Sequence, residues 1–159
     1  MTTIVEDGTI VSNANSYISD ADFATYASDR GVTVAGVAAQ LLLNAALYVE
    51  QLQFIGDKKT KAQSMQWPRN NVYIDGFVVD SDEIPVLLKD LQAEVALAID
   101  AGNDPLKTID RAVKSTKVGP IEKEFADNAA PFSINLKIKS LERKLTNSTG
   151  GASFKVVRV

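Results

Sequence analysis

The stretch from Val34 to Ile55, VAGVAAQLLLNAALYVEQLQFI, constrains the fold more than any other part of this 159-residue chain. Val37, Leu41, Ala45, Tyr48, Leu52 and Ile55 recur at spacings of four and three, and Leu42, Ala46 and Val49 widen that stripe. The spacing predicts a helix ended by Gly56 and apolar over well more than half its circumference. Such a helix must be covered on several sides, by its own domain or by other subunits. With 45% hydrophobic and 23% charged side chains, the chain reads as one globular domain over residues 1–159, long enough to bury a core.

Around that helix the other elements follow from local chemistry. Residues 3–12, TIVEDGTIVS, place β-branched side chains on either side of a Glu-Asp-Gly turn signal and predict a short hairpin or edge strand. Ser19 is placed to cap a short helix, with Asp20 and Asp22 in its first turn, Phe23 and Tyr26 on one side, and Gly31 as its stop. A second long helix is expected after DSDEIP: Asp80, Asp82 and Glu83 stand before and in its first turn, Pro85 is tolerated there, and Ile84, Leu87, Leu88, Leu91, Val95 and Ile99 form its buried stripe. Gly102 to Pro105 ends it. Thr108–Thr116 and Val118–Phe125 predict a hairpin about Lys117 to Pro120, and Ile134–Leu145 a basic amphipathic helix with Leu141 and Leu145 in line. SFKVVRV at the end of the chain is strand-like. The expected class is therefore mainly α, a small helical bundle with a β-hairpin excursion and short terminal strands, in which residues 126–159 form a C-terminal helix and a tail.

The single tryptophan lies in SMQWPRNNVYIDG, a linker of about 25 residues between the two long helices, longer than compact domains ordinarily tolerate without an anchor. Burying a Trp removes roughly 150–250 Å² from water, on the order of 4–6 kcal/mol, enough to clamp such a loop. Trp67, Pro68 and Arg69 are therefore read as a structural anchor with Gln63 and Met65 packed nearby, and Asn70-Asn71 and Asp75-Gly76 as turns.

The residues that are missing restrict function most. The chain has no Cys and no His, so it cannot build Ser-His-Asp or Cys-His catalysis, a disulfide framework or the usual zinc sites. Asp80, Asp82 and Glu83 fail the calcium-loop pattern, because Pro85 and Leu91 stand where Gly and Glu are needed, and GDKKT at 56–60 follows a helix where a phosphate-binding loop requires a strand. The expectation is a protein without catalytic, cofactor or metal sites. The N-terminal residues lack the pattern of a signal peptide, and no apolar run reaches a membrane span.

Net charge is −3, but it is unevenly distributed: residues 1–104 carry 6 Lys and Arg against 15 Asp and Glu, and residues 105–159 carry 11 against 5. Opposed halves can neutralise each other within one fold, join neighbouring copies, or present a basic face to a polyanion. Lys58, Lys59 and Lys61 cluster in one loop. Arg111, Lys114 and Lys117 fall on the predicted hairpin, where they are expected to approach DNA or a neighbouring subunit.

Several segments together resemble a known family. VEDGTIVSNANSYISDADFATYASDRG, the Ala/Leu-rich helix ending QLQFIG, QSMQWPRNNV, DEIPVLLKDLQAEVAL and KSTKVGPIEKEF are similar to the tailed-phage head-to-tail connector adaptors, often labelled DnaT-like; the likeness runs from about Val5 to Phe125. The resemblance implies a virion structural protein at the head-tail interface, assembled in the host cytoplasm as a ring of twelve copies under the portal, with tail or stopper proteins below it and packaged DNA passing through. On that reading Phe154, Lys155, Val156, Val157 and Arg158 would pair with the edge of a partner protein. Two alternatives stand beside it: a single-stranded-DNA-binding replication protein, as the label suggests, and a small hydrolase or transferase using carboxylates or a Ser-Lys pair.

Overall fold

The computed structural model describes residues 2–106, 115–118, 121–124 and 135–146, the two short β stretches as backbone only. In chain order the elements are α1 (Asp20–Asp29), α2 (Ala38–Val49), β1 (Asp57–Lys58), β2 (Arg69–Asn70), β3 (Val72–Ile74), β4 (Phe77–Val79), α3 (Val86–Asp100), β5 (Ser115–Val118), β6 (Ile121–Glu124) and α4 (Leu136–Leu145). The helices α2 and α3 pack most extensively on each other, α1 lies across both, and α4 covers α3. Their shared core includes Leu42, Val49, Leu88, Leu91, Val95, Phe23, Trp67 and Leu145.

The helix signals are realised in atomic detail. Ser19 Oγ accepts the Asp22 amide at 3.1 Å, satisfying one of the donors that a helix start leaves unpaired. Both α1 and α3 end in paired Schellman bonds: Gly31 N to Ser28 O and Val32 N to Ala27 O in α1, Gly102 N to Ile99 O and Asn103 N to Ala98 O in α3. The glycines at these stops have φ of 66° and 85°, a backbone region that other residues enter at a cost.

Four expectations need correction. The mainly helical bundle is a mixed α/β fold, because among the described residues three two-stranded antiparallel sheets accompany the four helices. The hairpin expected over residues 3–12 does not form: Val5 makes only an isolated parallel bridge to Ser16, and the fully buried Glu6 carboxylate gathers the amides of Gly8, Ile10 and Val11 at 2.9, 3.0 and 2.9 Å. A side chain has taken the donors that a strand partner would have used. The helix expected over Val34–Ile55 is 12 residues long. Before it, the amides of Ala35 and Gly36 bond to Asp100 at 3.0 and 2.8 Å; after it, Ile55 N bonds to Leu145 O at 3.0 Å. Finally, the acidic trio does not lie in the first turn of α3, which starts at Val86 behind Pro85 without a side-chain cap.

One polar network crosses the core. Gln92 on α3 is fully buried and every polar atom of its amide is bonded: Nε2 donates to Ser16 Oγ and Leu42 O, both at 2.9 Å, and Oε1 accepts from Tyr17 N at 2.8 Å. It joins the N-terminal segment, α2 and α3 at one point, and its complete satisfaction removes the cost of burying an amide. The expected hairpin about Lys117 to Pro120 is present as β5 and β6, with Ser115 opposite Glu124 and Val118 opposite Ile121.

Candidate nucleic-acid interface

The linker between α2 and α3, residues 50–85, divides into a buried clamp and an exposed ribbon. In the clamp, Trp67 is fully buried, edge-on to Phe54 with ring centroids 5.9 Å apart, and follows Met65, which is also buried. The Trp67–Pro68 peptide is cis. Arg69 is buried too, and its guanidinium donates to the carbonyls of Ile55 at 2.8 Å, Gly56 at 2.6 Å, Phe54 at 3.4 Å and Gln66 at 3.2 Å, and to Gln66 Oε1 at 3.2 Å. These contacts tie β2 to the chain leaving α2, and they commit Arg69 to the fold. Gln63 closes the turn by donating to the carbonyls of Met65 and Pro68 at 2.9 and 3.0 Å. Gly56 must lack a side chain here, since a Cβ would lie 2.3 Å from Asn70 O.

Beneath the clamp, Tyr17 donates its hydroxyl to the Glu50 carboxylate, and Glu50 also accepts the Gln66 amide at 2.8 Å. Burial raises the Glu50 carboxyl above its ordinary value; the bonds from Tyr17 and Gln66 and the charges of Lys58 and Arg69 oppose that shift without cancelling it. Tyr17 is pushed well upward, first by burial and then by the Glu50 charge, so its hydroxyl remains a donor.

The ribbon is β3 and β4, joined by the two-residue turn Asp75-Gly76 with φ of 51° and 88°. Positive φ at both positions is the type I′ geometry whose twist suits a tight hairpin. Cross-strand partners share a face, so Tyr73 and Val78 lie on one side and Val72, Ile74, Phe77 and Val79 on the other. Val72 is buried in the core and Ile74 and Val79 pack against it, which turns Tyr73 and Val78 outward; Phe77 sits at the tip, beyond the core. Tyr73 is 63% exposed, Phe77 77% and Val78 63%. Two aromatic rings thus stand in solvent, one on each face of one ribbon.

Cations gather at the same end. β1 and β2 pair immediately before the ribbon, carrying Lys58 and the loop of Lys59 and Lys61. The end of α4 closes onto the clamp through the Phe54–Thr146 bridge, bringing exposed Arg143 and Lys144. Lys144 reaches the ribbon directly, with its Nζ 2.7 Å from Asp75 Oδ2. At this end Lys58, Lys59, Lys61, Arg143 and Lys144 stand with Asp57, Asp75 and Glu142, five cations to three carboxylates, so the local balance is basic on a chain that is acidic overall. Solvent-facing rings beside mobile ammonium groups are the two components of a surface that stacks bases and tracks phosphates.

A groove of about 570 Å³ lies elsewhere, between the end of α1, α3 and α4. Its ionisable groups are engaged with one another. Glu94, almost fully buried, accepts from Tyr26 at 2.9 Å and faces Lys137 at 3.5 Å and Arg30 at 3.7 Å, and Glu142 accepts from Tyr48. Burial and these carboxylates push both tyrosines far upward. The ion pairs Lys137–Glu94 and Lys144–Asp75 run between the basic helix α4 and the acidic first half of the chain.

Of the residues singled out from sequence, Trp67, Pro68 and Arg69 come together in the clamp. Arg111, Lys114 and Phe154, Lys155, Val156, Val157 and Arg158 lie outside the described residues, as does the side chain of Lys117, whose backbone belongs to β5. The exposed ribbon is absent from that selection. Its signal was present in VYIDGFVV, an Asp-Gly pair flanked by β-branched and aromatic residues. No group of three or more metal-ligating side chains occurs among the described residues, and no described helix is long and apolar enough to cross a membrane.

Comparison with known proteins decides between the readings that sequence left standing. A family model described as "Putative DnaT-like ssDNA binding protein" matches residues 1–159. No curated protein and no solved structure matches. The match overturns the reading as a portal-binding connector with a DNA channel in favour of the DNA-binding alternative, and it lends no support to the twelve-membered ring, the tail partners or the virion location. Of the most specific marks of that resemblance, Gln63, Trp67, Pro68, Arg69, Ile84 and Pro85 are buried and Glu83 is exposed, so most of them report a shared scaffold and not a partner.

Proposed function

Since the chain belongs to the DnaT-like ssDNA-binding family, we propose that it binds single-stranded DNA at the β3–β4 ribbon, as a binding protein and not as a catalyst. The observation that carries this reading is the exposure of Tyr73 and Phe77 beside Lys58, Arg143 and Lys144. Bases of a single strand stack on the two rings, and the ammonium and guanidinium groups neutralise the phosphates between them. A duplex offers the phosphates but not the stacking faces: its bases are stacked on one another, and their edges would have to be read by a helix or ribbon inserted in a groove. Stacking is tolerant of sequence because every base has a π-face, so recognition is of single-strandedness and not of a base order. Arg111, Lys114 and Lys117 enter the proposal as further phosphate contacts, on the strength of their charge and spacing in the sequence.

The test is a fluorescence-anisotropy titration of a labelled oligothymidine and of a duplex of equal length, repeated as salt is raised. Preferential binding of the single strand is expected, with log K falling against log salt by about 0.7 for each phosphate neutralised, hence by about 2 to 3.5 overall if three to five cations engage. Absence of binding to the single strand at about 50 mM salt, where electrostatic binding is strong, would end the proposal.

A further inference from the structure

The turn at the tip of the ribbon carries a negative charge where a DNA-binding surface has most reason to exclude one. Asp75 is its first residue; its side chain is 61% exposed, and Oδ2 accepts from Lys144 Nζ at 2.7 Å. Lys144 comes from α4, 69 residues along the chain, and is itself 46% exposed. The fold has other means of holding these two elements in place. Val72 anchors the ribbon in the core, Ile138 and Leu145 anchor α4, and the Ile55 amide bonds to Leu145 O. An ion pair this exposed adds little to stability and exchanges readily.

We infer that Asp75 is a built-in phosphate surrogate: its carboxylate occupies the position at Lys144 that a phosphodiester of the bound strand takes, and it is displaced when the strand binds. A carboxylate and a phosphodiester offer an ammonium group the same thing, an anionic oxygen at about 2.7–2.9 Å. In the free protein the pair holds Lys144 at the turn of the ribbon whose opposite faces carry Tyr73 and Phe77. On binding, the phosphate replaces Asp75, whose side chain turns to water. Asp75 thereby sets an affinity ceiling, and weak or wrongly oriented polyanions fail to displace it. This inference rests on the ribbon being the single-strand site.

Asp75→Asn isolates the charge, because Asn-Gly forms the same type I′ turn as readily as Asp-Gly and the ribbon is kept. Wild type, Asp75→Asn, Lys144→Gln and the double variant are titrated with the labelled oligothymidine, with thermal unfolding as a check on the fold. Asp75→Asn is expected to bind about 3- to 10-fold more tightly with the salt slope little changed, because Lys144 contacts the same phosphate in both bound states. Lys144→Gln weakens binding, and in its background the gain from Asp75→Asn falls to less than half on a logarithmic scale. Unchanged or weaker binding by Asp75→Asn overturns the inference, and so does an equal gain with and without Lys144, which would mark general repulsion. If wild type and every variant stay folded and none binds, the DNA-binding reading itself falls.

Discussion

Arg69 and Lys144 lie at the same end of the molecule and are both cations, yet the fold uses them in opposite ways. Arg69 is buried, and its guanidinium meets four backbone carbonyls and one side-chain oxygen; Lys144 is half exposed and meets one carboxylate. The aromatic side chains beside them divide likewise. Trp67 is fully buried against Phe54, and six residues later Tyr73 stands largely in solvent. A planar guanidinium desolvated against carbonyls cannot leave without orphaning them, whereas an exposed ammonium changes partner at little cost. One linker therefore holds both the rigid support and the exchangeable surface, and the first is what keeps the second in place.

Substitutions that probe this division should differ in size and in kind. Trp67→Ala is expected to cost about 3–5 kcal/mol, lowering Tm by roughly 10 °C or more in a chain of this length, as read by calorimetry. Arg69→Lys should also destabilise, by about 2 kcal/mol, because an ammonium cannot reach the same fan of carbonyls. If both proteins melted within about 2 °C of wild type, the clamp would not be the support described. Tyr73→Ala and Phe77→Ala should each weaken oligothymidine binding about 5- to 100-fold while leaving Tm nearly unchanged. A large fall in Tm without loss of affinity would move the ribbon to the structural side of the comparison.

The smallest effect tests the floor of the clamp. Burial holds the Glu50 carboxyl above its ordinary 4.5, so the folded state keeps that proton to higher pH than the unfolded chain does. Stability from this group is therefore greatest below about 4.5 and declines as pH rises through the raised folded value. Glu50→Gln keeps one side-chain acceptor, for either Tyr17 or Gln66, and removes the titration. Urea midpoints between about pH 4 and 7 should accordingly move in favour of the variant as pH rises; parallel curves for the two proteins would show that Glu50 is not held protonated by its surroundings.

Much of the helical framework is legible in local chemistry. Ser19, Gly31 and Gly102 act where their side chains or backbone freedom predict, and of the α3 stripe Ile84, Leu88, Leu91 and Val95 are buried. These signals lie within one or two turns of what they control. The misreadings arise where a distant partner claims a backbone group: Asp100 takes the amides before α2, Leu145 and Arg69 take the chain after it, and Glu6 takes the amides of the expected N-terminal hairpin. Val37 shows the same limit, since it satisfies the apolar pattern of the expected helix and remains exposed. For the candidate site, VYIDGFVV contained the hairpin signal, but which of its side chains would face water depended on how Val72 docked in the core.

By itself, then, the sequence determined that the helices exist, the stops of α1 and α3, the absence of histidine and cysteine chemistry, and the need to bury Trp67. It could do so because capping, periodicity and composition act over a few residues. Only the tertiary structure decided that Arg69 would be locked among carbonyls while Lys144 reached 2.7 Å from Asp75. Desolvation and pairing depend on what arrives from far along the chain, and two cations alike in sequence become unlike only when one is enclosed and the other is left in water.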